Sequence, residues 1–121
     1  MKKLTIPVNN KTFFTKYLLL FNEMFNLRPA ALEVFSRLLY WNDKYRNVSK
    51  EDKDLLLFNK VTRSKILQDI DMSRASMDNQ LTYLRKKGFL LGNSINPKYE
   101  IFYETHKDVL FSFRLKEDEN D

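Results

Sequence analysis

Between Ser73 and Gly88 the chain places a guanidinium (Arg74), two hydroxyls (Ser76 and Thr82), a carboxamide (Asn79) and an ammonium (Lys86) within one short stretch. At about 100° per residue, a helix here turns Ala75, Ser76, Asn79, Thr82, Tyr83 and Lys86 away from Met77, Leu81 and Leu84. A guanidinium offers paired donors, a carboxamide offers a donor beside an acceptor, and a hydroxyl offers either. This is chemistry for recognising planar hydrogen-bonding edges and anions. Little in the sequence is suited to breaking bonds. There is one histidine, His106, in a polar stretch, and no cysteine. With two glycines there is no glycine-rich phosphate loop, and no nucleophile elbow is present. Glu51, Asp52 and Asp54 lack the central glycine and terminal glutamate of a calcium loop and read as a solvated loop. The expectation is a protein that is not an enzyme, with no cofactor and no metal.

The ends of the stretch are marked. Ser73 is a cap for a first turn, and Gly88 follows the cationic turn Arg85-Lys86-Lys87 where a helix ends in the left-handed conformation. Upstream, Thr62 to Ile70 reads as a shorter helix with Thr62 as cap and Ile66, Leu67 and Ile70 inward. Asp71-Met72 connects the two. Two helices joined tightly, the second small and polar at its start, form a helix-turn-helix pattern. Val61-Thr62-Arg63-Ser64-Lys65-Ile66, Asp71-Met72-Ser73, Ser76-Met77, Leu81, Leu84 and Lys86-Lys87-Gly88-Phe89-Leu90 together resemble winged helix-turn-helix DNA-binding domains. They look most like those of phage and plasmid replication initiators and small regulators. The resemblance covers roughly residues 28 to 104 and implies double-stranded DNA as partner, in transcription regulation or replication.

The resemblance gives the helix Ser73–Lys87 to the major groove. There Arg74 pairs with guanine and Asn79 with adenine, while Ser76 and Thr82 meet base edges or phosphates. Arg63, Lys65, Lys86 and Lys87 fall on phosphates, and Lys98 touches the backbone from the wing. Asp78 opposes phosphate unless it pairs with Arg74 or accepts from cytosine. The other reading is a winged domain that holds protein, as a phage assembly component or polymerase-associated adaptor would. The two readings divide on whether Asp69, Asp71, Asp78 and the acidic tail neutralise the 63–87 surface.

Taken in order, residues 1–11 are extended, with a short edge strand allowed by Leu4, Ile6 and Val8. Residues 12–26 form an apolar helix in which Phe14, Tyr17, Leu18, Phe21 and Phe25 share a stripe. That stripe packs on the chain's own core or forms a homodimer or partner interface. Arg28 to Arg46 is a long helix opened by Pro29, with Leu32, Phe35 and Leu39 inward and Trp41 packing. Asn47–Asp54 is a charged loop, and Leu55–Phe58 a small strand. Phe89–Leu91 and Lys98–Tyr103 are the strands of a hairpin wing around a turn at 92–97. Val109–Leu115 is a further strand, set either on the wing sheet or against the N-terminal segment.

The fold class expected is α+β, mainly α: a winged helix-turn-helix with an N-terminal helical extension and a C-terminal β wing. Its parts are an arm and apolar helix (1–27), the winged domain (28–115) and an acidic tail (116–121). The net charge of +5 and the run Lys60, Arg63, Lys65, Arg74, Arg85, Lys86 and Lys87 suit a polyanion. With no span of about 20 apolar residues, no membrane partner and a cytoplasmic location are expected, in the host cytoplasm if phage-encoded.

Overall fold

Pro29 pre-sets the backbone for the first turn of the longest helix, and the other α-helices pack around that helix. The computed structural model describes residues 3–7, 12–103 and 110–114. Their order is β1 (Lys3–Pro7), α1 (Phe13–Phe25), α2 (Pro29–Lys44), α3 (Lys50–Leu57), α4 (Lys60–Ile70), α5 (Arg74–Lys87), a 3-10 turn at Pro97–Tyr99, and β2 (Leu110–Arg114). The chain is mainly helical. His106 and the tail 116–121 lie outside the described residues.

α2 is buried on most of its circumference: Ala31, Leu32, Val34, Phe35, Ser36, Leu38, Leu39, Asn42 and Asp43 are all inside. A helix buried this widely needs neighbours on several sides, and α1, α3, α4 and α5 supply them. Phe14 and Leu18 from α1, Leu57 from α3, Ile66 from α4, and Met77, Leu81 and Leu84 from α5 complete one core. α1 therefore belongs to that core. Asn26 ends it in the left-handed conformation, φ 54°. The Asn22 carboxamide then clasps the backbone of Leu27, donating to its oxygen and accepting from its nitrogen at 2.9 Å each.

The expected loop at 47–54 and strand at 55–58 are instead a single helix, α3. Ser49 accepts from the Asp52 backbone nitrogen at 3.2 Å, and Glu51 and Asp52 fall in the first turn, where the helix dipole favours them. Acids that look like a loop in sequence are thus a helix start. Of the three leucines, Leu57 turns inward and Leu55 stays exposed. α4 also starts earlier than expected. Asn59, not Thr62, is its cap, accepting from Thr62 N at 2.9 Å, while the buried Thr62 hydroxyl donates to the Leu56 carbonyl at 2.7 Å.

Residues 89–103 do not form a two-stranded wing. They hold one bridge, Leu90 to Ile95, closed by Leu91 N donating to Ser94 O at 2.8 Å. The expected returning strand Lys98–Tyr103 begins in the 3-10 turn, because Pro97 has no N–H for a ladder and the Asn96 side chain caps Lys98 N at 3.0 Å. Phe89 and Tyr99 stack with centroids 4.2 Å apart, and both lie against Phe25 at 5.6 and 5.7 Å. Of the two places open to the last strand, β2 takes the N-terminal one. It pairs antiparallel with β1, from Lys3 opposite Arg114 to Pro7 opposite Leu110.

A polar latch fastens 100–103 across the C-terminal end of α2. Glu100 Oε2 accepts from Asn42 Nδ2 at 2.8 Å and from the buried Lys53 ammonium at 3.0 Å. Tyr103 N donates to Asp43 at 3.2 Å, and Arg46 donates to Tyr103 O at 3.1 Å. Burial pushes the Glu100 carboxyl up, but the hydrogen bonds from Asn42 and Lys53 and the charges of Lys53 and Lys50 outweigh it. The net shift is below the ordinary 4.5. A carboxyl lowered in the folded state contributes stability that is full above its unfolded value and lost as pH falls through its folded value. Glu100→Gln should therefore cost roughly 1–3 kcal/mol at neutral pH. In thermal melts from pH 7 downward, the gap between wild type and variant should narrow below pH 4.5.

Candidate nucleic-acid interface

α5 is placed by one face and both ends. Met77, Gln80, Leu81 and Leu84 are buried against the core, chiefly against α2. Ser73 Oγ accepts from Ser76 N at 3.1 Å, and Gly88 closes the helix at φ 86°, a conformation that costs side-chain-bearing residues energy. The start and stop are those expected from the sequence. The turn from α4 is three residues, Asp71 to Ser73, with Asp71 in the left-handed conformation at φ 49°. Aspartate tolerates that region better than most residues but less well than glycine.

The exposed side of α5 carries Arg74, Ala75, Asp78, Asn79, Thr82, Lys86 and Lys87, with Ser76 and Tyr83 half-buried. Arg74, Asn79, Thr82, Lys86 and Lys87 are thus presented together on one helix, as expected. The Thr82 hydroxyl donates to the Asp78 carbonyl at 3.0 Å and keeps its lone pairs for a donor. Lys87 leans over Tyr83, its nitrogen 5.8 Å from the ring centroid.

Other expected residues have different surroundings. Arg63 on α4 forms an ion pair with Asp78, binding the two helices together. Asp78 therefore pairs with Arg63 through Oδ1 and not with Arg74. A second acid is engaged in the same way, since Asp69 sits 3.3 Å from Arg37 on α2. Lys65 is exposed, and its ammonium lies 5.0 Å from the Trp41 ring, which makes Trp41 part of the packing around α2. Lys98 is exposed on the 3-10 turn, its ammonium 5.6 Å from the Tyr99 ring, and no projecting hairpin carries it. Of the expected partner stripe, Phe14 and Leu18 are wholly buried in the chain's own core. This removes them as interface contacts. Tyr17, Phe21 and Phe25 are half-buried in an aromatic row along α1. Burial holds the Tyr17 hydroxyl above its ordinary pKa.

Arg28 and Gln80, which the sequence does not single out, complete the surface with Tyr83 and Arg85. The Arg28 guanidinium lies over the Tyr83 ring, 4.0 Å from its centroid, and its Nε donates to Gln80 Oε1 at 3.0 Å. Arg85 donates to Gly92 O and to Asn93 Oδ1, both at 2.9 Å, and so ties the end of α5 to the turn that follows. Arg28 and Tyr83 are far apart in sequence, and no local spacing announces their contact. Three shallow clefts border α5. One is lined by Lys60, Arg63, Ser64, Leu67, Arg74 and Asp78, another by Arg28, Asn79, Gln80, Thr82, Tyr83 and Lys86, and a third by Phe58, Arg63, Asp78, Leu81, Thr82, Arg85 and Asn93.

Among the described residues no group of acidic or imidazole side chains is placed to hold a metal, and no helix is long and apolar enough to cross a membrane. The chain matches no protein-family model, no curated protein and no solved structure with which it was compared.

Asp71 sets the angle between α4 and α5 at a strained φ. Asp71→Gly should raise stability by up to about 1 kcal/mol and Asp71→Val should lower it by about 1–2 kcal/mol. Chemical denaturation of both variants at fixed pH reads the difference.

Proposed function

We propose that the chain is a double-stranded-DNA-binding protein, a transcription regulator or replication-associated protein, that lays α5 in the major groove. The observation that carries this reading is the electrostatic condition of α5 and its surroundings. Asp69 and Asp78 are drawn into ion pairs with Arg37 and Arg63, and of the three acids from 69 to 78 only Asp71, in the turn before α5, stays exposed without an ion pair among the described residues. Lys60, Arg74, Lys86 and Lys87 remain exposed around a small polar helix face. Arg74 is suited to the paired acceptors of guanine and Asn79 to the donor and acceptor of adenine. Each good pair contributes roughly 1–3 kcal/mol of discrimination. Lys86, Lys87 and Lys65 supply attraction to phosphate without sequence preference. Ser76, being half-buried, is left to a short contact with base or phosphate. Lys98 stands on a compact turn, so a minor-groove wing has no part in this proposal.

A protein-interaction module is the second reading. It draws on Leu19 and Met24, which are 61% and 78% exposed on the outer side of α1, and on the compact segment where a wing would project. In that case α1 meets a second copy or another protein through those residues, with Tyr17, Phe21 and Phe25 supporting from behind.

Fluorescence anisotropy of a labelled random duplex across a salt series separates the two. Wild type should bind with a micromolar dissociation constant at low salt, and affinity should fall steeply as salt rises. The Arg74→Ala/Asn79→Ala/Lys86→Ala variant, with unchanged circular dichroism, should lose most of that binding. Absence of wild-type binding at low salt would remove the DNA reading and leave the α1 surface as the site to pursue.

A further inference from the structure

Arg28 comes from the residue before α2, yet it is held in place by α5. Its Nε is hydrogen-bonded to Gln80 at 3.0 Å, and its guanidinium carbon lies over the Tyr83 ring, 4.0 Å from the centroid. Both supports are themselves fixed. Gln80 is 9% exposed, and the Tyr83 hydroxyl donates to the Asn26 carbonyl at 3.3 Å. Arginine side chains usually lose considerable rotamer freedom on binding. Here much of that freedom is already gone. The Arg28 side chain is solvent-exposed, and among the described residues its two Nη groups have no protein partner. They form a fork of parallel donors matched to two oxygens of one anion. The cleft beside them is lined by Arg28, Asn79, Gln80, Thr82, Tyr83 and Lys86, with no carboxylate among these residues.

We propose that this cleft is a preorganised phosphodiester site. The Arg28 fork and the Lys86 ammonium together hold one backbone phosphate of the strand that flanks the C-terminal half of α5. The proposal rests on the DNA-binding reading and deepens it by giving α5 a fixed register. The opposite cleft, with Lys60 and Arg74, lies toward the N-terminal end of the same helix. From residue 74 to residue 86 an α-helix rises about 18 Å, enough to cross a major groove about 12 Å wide. Arg28 and Lys86 then face one phosphate ridge and Lys60 the other, with Arg74 and Asn79 left to the groove between them. Lysine at position 28 would carry the charge but not the paired donors.

The test is the salt dependence of random-duplex binding for wild type, Arg28→Gln, Arg28→Lys and Arg74→Ala/Asn79→Ala, each checked for an unchanged thermal midpoint. Removing one phosphate contact should reduce the slope of log affinity against log salt by about 0.9 in Arg28→Gln. The accompanying affinity loss should be roughly tenfold, the order of one charge-assisted contact. Arg28→Lys should keep the wild-type slope but bind more weakly than wild type. If Arg28→Gln retains wild-type affinity and slope while Arg74→Ala/Asn79→Ala is weakened, the phosphate site is wrong and groove reading by α5 stands. If Arg28→Gln is weakened and Arg74→Ala/Asn79→Ala is not, the site stands and the groove-reading role of those two residues falls. If wild type does not bind duplex at low salt, both fall together.

Discussion

Helix α2 has to be covered on nearly every side, and that requirement organises the molecule. A helix that turns Val34, Phe35, Leu38 and Leu39 wholly away from water, and buries Asn42 and Asp43 with them, cannot rest on a single neighbour. α1 closes one flank with Phe14 and Leu18, and α5 closes another with Met77, Leu81 and Leu84. α4 adds Ile66 and α3 adds Leu57. Burial of each such side chain contributes about 1.5–3 kcal/mol, so the positions of α1 and α5 are set by the same apolar contacts that make the core stable. What α5 shows to solvent is the remainder once this demand is met: a strip of small, polar and cationic residues.

Polar contacts then fix details that apolar packing leaves loose. The Asn22 clasp on Leu27 sets the corner between α1 and α2, and Arg85 ties α5 to the turn at Gly92 and Asn93. Glu100 and Asp43 hold the last part of the 89–103 segment against α2 and α3. The ion pairs Arg63–Asp78 and Arg37–Asp69 join α5 to α4 and α4 to α2. Arg63–Asp78, an exposed pair, contributes little to stability, typically no more than about 1 kcal/mol, whereas Arg37–Asp69 is half-buried. Their larger consequence is electrostatic, because they neutralise acids beside a helix whose other exposed charges are mostly positive.

The elements with strong local signals were legible in the sequence. Ser73 and Gly88 bracket α5 in the structure as they do in the letters, and Pro29 opens α2. Inward residues of α5 follow from period alone. α3 is hard to see in the letters because its evidence is electrostatic: Ser49, Glu51 and Asp52 resemble a charged loop until the cap and the first-turn acids are recognised together. The segment after Phe89 looks like a wing in sequence because alternating Tyr99, Ile101 and Tyr103 mimic a strand. Asn96 and Pro97 start a 3-10 turn, and the aromatic rings pack back onto Phe25 and Phe89 instead. In the candidate site, Asn79, Thr82 and Lys86 could be read from helical spacing. Arg28 on Tyr83 and Arg63 on Asp78 could not, since each joins residues from separate elements whose meeting depends on how the helices pack around α2.

The claim at the centre of this account is that the outward face of α5, with Arg28 beside it, is the surface that meets DNA. Amide chemical-shift mapping of isotope-labelled protein titrated with a short duplex addresses it residue by residue. The account predicts perturbations concentrated on Arg28, Arg74, Asn79, Thr82 and Lys86, with the outer side of α1 unmoved. Perturbations confined to α1 around Leu19 and Met24, or to α3, would contradict it.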